Sequence, residues 1–268
     1  MNEFLTSDTR HDFVYFLKVV NGNPNGDPAN GNRPRTNPLT NKGIITAESM
    51  KRKIRDSVRM RYGVENYFDK DVLLSERHSV NTIKVKDVNA VTKYMLEKYW
   101  DVRCFGAILS TIAANPGNAL RGALQMSMLE SIDPVFPFEH TITRCTSINE
   151  KEKANQNIGQ FHNIPFGVYK GVGSYSPCQR ELSVDDIEKF YTGLYFGNQD
   201  CESTARPPGS VEVAGLWIYV HDSKYGNALL GDIHEMVKYR RTSDEIPQSM
   251  ADYELVVAED IHLHRWND

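Results

Sequence analysis

The chain has 268 residues, 40% hydrophobic and 25% charged, with 31 Lys and Arg against 35 Asp and Glu for a net charge of −4. This ordinary globular composition excludes a collagen repeat, a disordered tail and a disulfide scaffold, and the slightly acidic balance excludes a uniformly basic nucleic-acid binder. Cys104, Cys145, Cys178 and Cys201 lie 41, 33 and 23 residues apart, which matches neither paired zinc ligands nor a dense disulfide framework, so they read as reduced bystanders.

Phe13 to Val20 is nearly continuous in β-branched and aromatic residues and reads as a buried central strand. The Gly-, Asn- and Pro-rich run from Asn21 to Arg35 follows, a loop too long and too polar to be a simple connection. Thr46 is placed to cap a helix that reaches Tyr62 before Gly63, with Glu48 in its first turn. Met50, Ile54, Val58 and Tyr62 make its buried stripe, Lys51 and Arg61 fall at the stripe's edge, and Arg52, Arg55 and Arg59 gather on one flank.

A second helix is expected over Asp87 to Tyr99, then a strand over Asp101 to Leu109 and a turn at Asn115 to Asn118. Ala119 to Leu129 is apolar enough for either a buried strand or a helix. Residues 140–145 look extended, and 146–160 form a polar, exposed excursion. Phe161 to Tyr169 reads as a returning strand interrupted by Pro165, with a bend at Gly171 to Gly173. Ser183 caps a helix over Val184 to Phe196, and Val211 to Val220 and Tyr253 to Ala258 are strands. Strand, helix, strands, helix, strand is the plan of a split β-α-β module, so the expectation is one elaborated α+β domain over 1–268.

Charge is unevenly placed. Residues 1–180 hold 24 Lys and Arg against 18 Asp and Glu, while 181–268 hold 7 against 17. Residues 33–61 alone carry nine basic residues against Glu48 and Asp56, an anion-binding candidate. An acidic half on the same chain can meet the basic half of a neighbouring copy, which favours head-to-tail assembly. The apolar run Phe13 to Leu17 is far too short to span a membrane, and the first twelve residues lack a signal-peptide pattern, so a cytoplasmic protein is expected.

Chemistry-bearing motifs are sparse. The histidines form no zinc-protease pattern, His262-Leu-His264 has no third ligand, and there is no phosphate-binding Gly-Lys-Ser/Thr loop, dinucleotide fingerprint or nucleophile elbow. Asp185-Asp186 reads as charge at a helix N-terminus. No catalytic residue, metal or cofactor is assigned.

Several strings in order, Asn21 to Arg35, Met50-Lys-Arg-Lys-Ile-Arg55, Asp101-Val-Arg-Cys-Phe-Gly106, Arg121-Gly-Ala-Leu-Gln125, Ser131-Ile-Asp-Pro134, Ile142-Thr-Arg144, Ile164 to Tyr169 and Gly215-Leu-Trp-Ile-Tyr219, carry a family resemblance. Together they closely resemble the backbone subunit of the type I-C CRISPR surveillance complex, Cascade, a RAMP-superfamily protein with a close relative in type I-B. The resemblance implies a modified RRM-like (ferredoxin-like) palm, a finger-like insertion within 64–130 and a thumb within 145–162. It also implies a non-enzymatic protein stacked head to tail along a guide RNA (crRNA). Such a protein presents the guide's bases to a target DNA strand beside other Cascade subunits. Sequence would then be read by base pairing, with the protein gripping the backbone. On that footing Asn21, Asn25, Arg33 and Arg35 of the loop, Lys51, Arg52 and Arg55 of the first helix, Arg121, Gln125, Arg144, His162 and Lys170 are candidate RNA contacts. Arg103, beside Phe105, is a further candidate RNA contact, placed to pair with phosphate or equally with an internal carboxylate. Two other readings stay open: a metal-dependent RNA-cleaving relative in the same superfamily, and a small-molecule enzyme using the Gly/Asn-rich loop as a phosphate cradle.

Overall fold

Odd and even residues of β1 (His11–Gly22) are buried alike, so this strand has protein on both of its faces. The computed structural model describes residues 3–73, 88–108, 119–143 and 158–266. After β1 come β2 (Gly26–Asp27), β3 (Arg33–Pro34), β4 (Lys42–Ile45), α1 (Ala47–Tyr62), α2 (Val88–Lys98), α3 (Trp100–Phe105) and β5 (Gly106–Ile108). Then follow β6 (Ala119–Arg121), β7 (Leu124–Met126), β8 (Leu129–Pro134), β9 (Phe138–Thr143), β10 (Ile158–Tyr175), α4 (Val184–Asp200) and β11 (Val211–Val220). The chain ends through α5 (Leu230–Met236), β12 (Val237–Arg241), β13 (Tyr253–Val257) and β14 (Leu263–Arg265).

The central sheet runs β14-β11-β1-β10-β8-β4, with β7 and β9 also paired to β10. Its middle four strands, β11-β1-β10-β8, are mutually antiparallel, and α1 and α4 pack together beside them. That is the strand order of the RRM-like palm expected from the β-α-β plan. Phe13, Tyr15, Leu17 and Val19 of β1 bury against Met50, Ile54 and Val58 of α1 and Ile187, Phe190, Tyr191 and Leu194 of α4. Val14 and Phe16 face the other way, joining Val168, Trp217 and Tyr219 beneath Ile233, Val237 and Tyr253. The face that a standard RRM leaves open for base stacking is therefore roofed by α5 and the β12–β13 hairpin. Residues 236–268 do much of this covering.

The structure corrects several expected elements. Asp101 to Ile108 is a short helix and a three-residue strand, not one strand. Every residue of α3 except Arg103 is buried, so its apolar run carries neither helical nor strand period. β10 continues straight through Pro165, which falls between the pairs Val20–Phe166 and Gly22–Ile164. Asn21 has a φ of 53°.

Gly171 and Gly173 do not bend the strand. A Cβ at Gly171 would lie 2.7 Å from the Tyr15 ring, and one at Gly173 only 2.3 Å from Phe13, so these glycines make room for aromatic rings lying across the strand. α4 runs four residues past Phe196, and Tyr62 is largely exposed because α1's buried face shifts toward Lys53 and Ser57. Thr46 and Ser183 cap α1 and α4 as expected, accepting from Ser49 N and Asp186 N, and Gly63 closes α1 in the left-handed conformation.

Candidate nucleic-acid interface

The flank of α1 bearing Arg52, Arg55 and Arg59 exists, but each guanidinium meets a carboxylate. Arg52 Nε donates to Asp56 one turn on, at 2.9 Å. Arg55 Nε donates at 2.9 Å to Asp101, which is fully buried and also accepts from Tyr67 N and Phe68 N. The same guanidinium lies over the rings of Phe68 and Phe105. Arg59 pairs with Asp69 and Asp71, and Arg61 with Asp200. Arg103 forks onto Asp186 at 2.9 and 3.0 Å and donates to Leu96 O, so in this structure it pairs with an internal carboxylate. Arg55 and Arg103 thus tie α1 and α4 to α3, where the sequence reading set them toward phosphate.

Other candidates are dispersed. Lys51 is half-buried over the Phe105 ring, and desolvation, then Arg55, lowers its pKa. Arg121 is exposed at the end of β6. Gln125 on β7 pairs opposite Ser174, twelve residues along β10 from His162, a separation of about 40 Å. Lys170 donates at 2.5 Å to His234 O beneath α5 and lies over Phe16, and burial brings its pKa down to about 8. Lys170 therefore belongs to the covered sheet face. Arg144 and residues 145–157 of the expected thumb lie outside the described residues.

The Gly/Asn-rich loop is a built structure. Asn23 Nδ2 donates to Asn32 O at 2.7 Å, closing the loop on itself, and Asn23 N donates to Ala205 O. Asn25 Oδ1 accepts from Thr46 N at 2.9 Å and so fastens the loop to the start of α1. Arg35 pairs with Asp27 inside the loop, and Arg33 reaches Glu139 on β9 at 2.8 Å. Proline and asparagine here hold a shape rather than supply slack.

A groove of about 490 Å³ lies between this loop, the paired ends of β9 and β10, and the segment after α4. Asn23, Asn25 and Asn32 line it from the loop, Ser49 from α1, Gln160 and His162 from β10, and Thr204 and Arg206 from beyond α4. No carboxylate is among its lining residues. Three of its polar atoms, Asn23 Oδ1, His162 Nε2 and Arg206 Nε, are buried without a partner among the described residues. Amides, two hydroxyls, an imidazole and one guanidinium lining this groove suit an anionic, hydroxyl-bearing strand.

A family model described as CRISPR-associated protein Cas7 matches residues 9–258. The chain belongs to the Cas7 family. Over 140 residues it is 31% identical to the CRISPR-associated protein Cas7 of Haloferax volcanii, covering 46% of this chain and 40% of that protein. The match thus spans well under half of the curated relative's length. A chain of a solved CRISPR RNA-guided surveillance complex, pre-nicking, has the same fold with a TM-score of 0.50 at 16% identity, over 78% of this chain and 75% of that one.

In this Cas7-family chain the sequence candidates Asn25 and His162 line the groove together with Asn23, Asn32, Ser49, Gln160 and Arg206, which the sequence reading does not single out. Arg206 carried a signal: it is one of seven basic residues in the acidic half, placed in a Pro- and Gly-rich segment just past a helix. It donates to Cys201 O, and no carboxylate pairs with it among the described residues.

Proposed function

We propose that this Cas7-family chain is a non-catalytic, guide-RNA-binding backbone subunit of a type I-C CRISPR surveillance complex. Copies stack head to tail along the crRNA spacer, in contact with other Cascade subunits, and present its bases to a target DNA strand. The observation that carries the reading is the carboxylate-free, amide-rich groove at the N-terminal end of α1, set beside the root of the β9–β10 ribbon. A single strand laid there meets donors for phosphate and 2′-hydroxyl groups and no base-reading edge, which suits a protein that delegates sequence to base pairing. The roofed sheet face supports the same path, since bases have no open palm to stack on. The acidic C-terminal region supplies a surface complementary to the basic first half of a neighbouring copy.

Coexpression with a repeat-spacer transcript, followed by sizing and nuclease challenge, tests this. Intact guide RNA co-eluting with a multi-copy assembly is the expected result. A nucleic-acid-free monomer at low salt overturns it. With about four to six phosphates held per copy, log affinity for single-stranded RNA should fall with log salt at a slope of about −3 to −4.

A further inference from the structure

Lys53 lies directly beneath the groove. It is 5% exposed, and its Nζ donates to Pro24 O at 3.2 Å and to the Ser49 hydroxyl, which lines the groove, at 3.4 Å. Both partners are neutral, so among the described residues this ammonium is buried without a counter-charge, an arrangement that costs free energy until an anion arrives. Arg206 stands on the groove wall, its Nε also buried without a partner among the described residues, and the Asn23 amide lines the same groove from the loop. Two cations, a hydroxyl and an amide thus converge where the groove has no negative group of its own.

We propose that Lys53, Ser49, Asn23 and Arg206 form a seat for one backbone phosphate of the bound RNA strand, with Lys53 supplying its charge through the floor. This rests on the guide-RNA reading above. Asn23 donates through its amide once its bond to Asn32 rearranges, and Ser49 donates its hydroxyl proton while keeping Lys53 beneath it.

A consequence is proton coupling. Desolvation first, then Arg206, lowers the Lys53 pKa to about 7, opposed by the weaker pull of Cys201. The groups acting on it are those two residues of the segment after α4; the loop above contributes the Pro24 carbonyl, and its own helix the Ser49 hydroxyl. An incoming phosphate raises this pKa toward the ordinary lysine value. Lys53 therefore takes up a proton as RNA binds, and affinity falls as pH rises above about 7.

The test is binding of a short oligoadenylate, whose bases do not titrate in this range, to the full chain at low salt between about pH 7 and about pH 9. The wild-type protein should weaken by about tenfold across that window. Lys53→Met should bind more weakly at the lower pH and show a flat profile, and Arg206→Gln should weaken binding and make the salt slope shallower by about 0.7. If Lys53→Met does not fold, the wild-type pH profile and Arg206→Gln still decide the matter. Wild-type binding that is insensitive to pH, or variants that bind like wild type, overturn the seat and leave the RNA reading standing. Absence of wild-type binding at both pH values overturns both together.

Discussion

The flank of α1 and the groove at its N-terminal end both hold basic residues, and what those residues face separates them. On the flank, Arg52, Arg55, Arg59 and Arg61 each meet a carboxylate within the protein. In and under the groove, Arg206 and Lys53 meet, among the described residues, carbonyls, a hydroxyl, the Cys201 thiol and each other's field. A count of local charge gives the flank the stronger claim to an anionic ligand. Pairing reverses that order, because a guanidinium already forked onto a carboxylate gains little from exchanging it for a phosphate, whereas an unpaired buried ammonium gains a partner it lacks. The flank's charges hold elements together, and the groove's charges are held in reserve.

The largest effect should come from breaking the flank's most buried tie. Asp101→Ala strips Arg55 of its partner and leaves Tyr67 N and Phe68 N without an acceptor, which should destabilise folding by about 3–5 kcal/mol in chemical denaturation. Arg103→Met removes both bonds to Asp186 and should cost about 1–3 kcal/mol by the same measurement. RNA affinity measured on the folded fraction of either variant should stay near wild type. A loss of affinity larger than the loss of stability would restore these arginines to the interface and collapse the distinction.

The same contrast explains what could be read from the sequence. α1 with its Thr46 cap and Gly63 stop, the strands β1 and β11, and the capped α4 were legible because their signals are local: period, cap and turn residue. α3 was not, since a helix buried on all but one residue has no amphipathic period, and Gly171 and Gly173 were misread because only the rings of Phe13 and Tyr15 reveal why they are glycine. Asp56 lies only four residues from Arg52, but other neutralising carboxylates lie far off in sequence: Asp101 is 46 residues from Arg55, Asp186 is 83 from Arg103, and Asp200 is 139 from Arg61. Asn25 and His162 of the groove were found, but Arg206 sits in the acidic half, and its meeting with the loop depends on the tertiary bond from Asn23 N to Ala205 O.

Stability of the RNA-free protein sharpens the contrast, because the two kinds of cation should respond with opposite sign. The folded Lys53 pKa lies below the ordinary lysine value, so between about pH 7 and about pH 10 the unfolded chain binds more protons than the folded one and stability gains with rising pH from this group. Lys53→Met should therefore stabilise the free protein, by about 1–2 kcal/mol near pH 7 and by less as pH rises. Thermal melting across that range checks it. A destabilised Lys53→Met at neutral pH would mean that the lysine's bonds to Pro24 O and Ser49 outweigh its burial, and the groove's cations would then resemble the flank's.

The smallest effect belongs to Arg52, where the two regions come nearest to each other. Its side chain is 42% exposed, its bond to Asp56 is a surface pair within one helix, and it sits one turn from Ser49 on the same helix. Such a pair contributes about 0.3–0.5 kcal/mol, so Arg52→Ala should leave the melting temperature almost unchanged. Because this guanidinium is the flank's most exposed, it is also the one that can release its carboxylate toward a strand leaving the groove. Arg52→Ala should make the salt slope of RNA binding shallower by no more than about 0.7, the contribution of one phosphate, with the pH profile of binding intact. A slope reduced by more than that would mean that the strand runs along the flank after entering the groove, drawing Arg59 and Arg61 from their carboxylates as well.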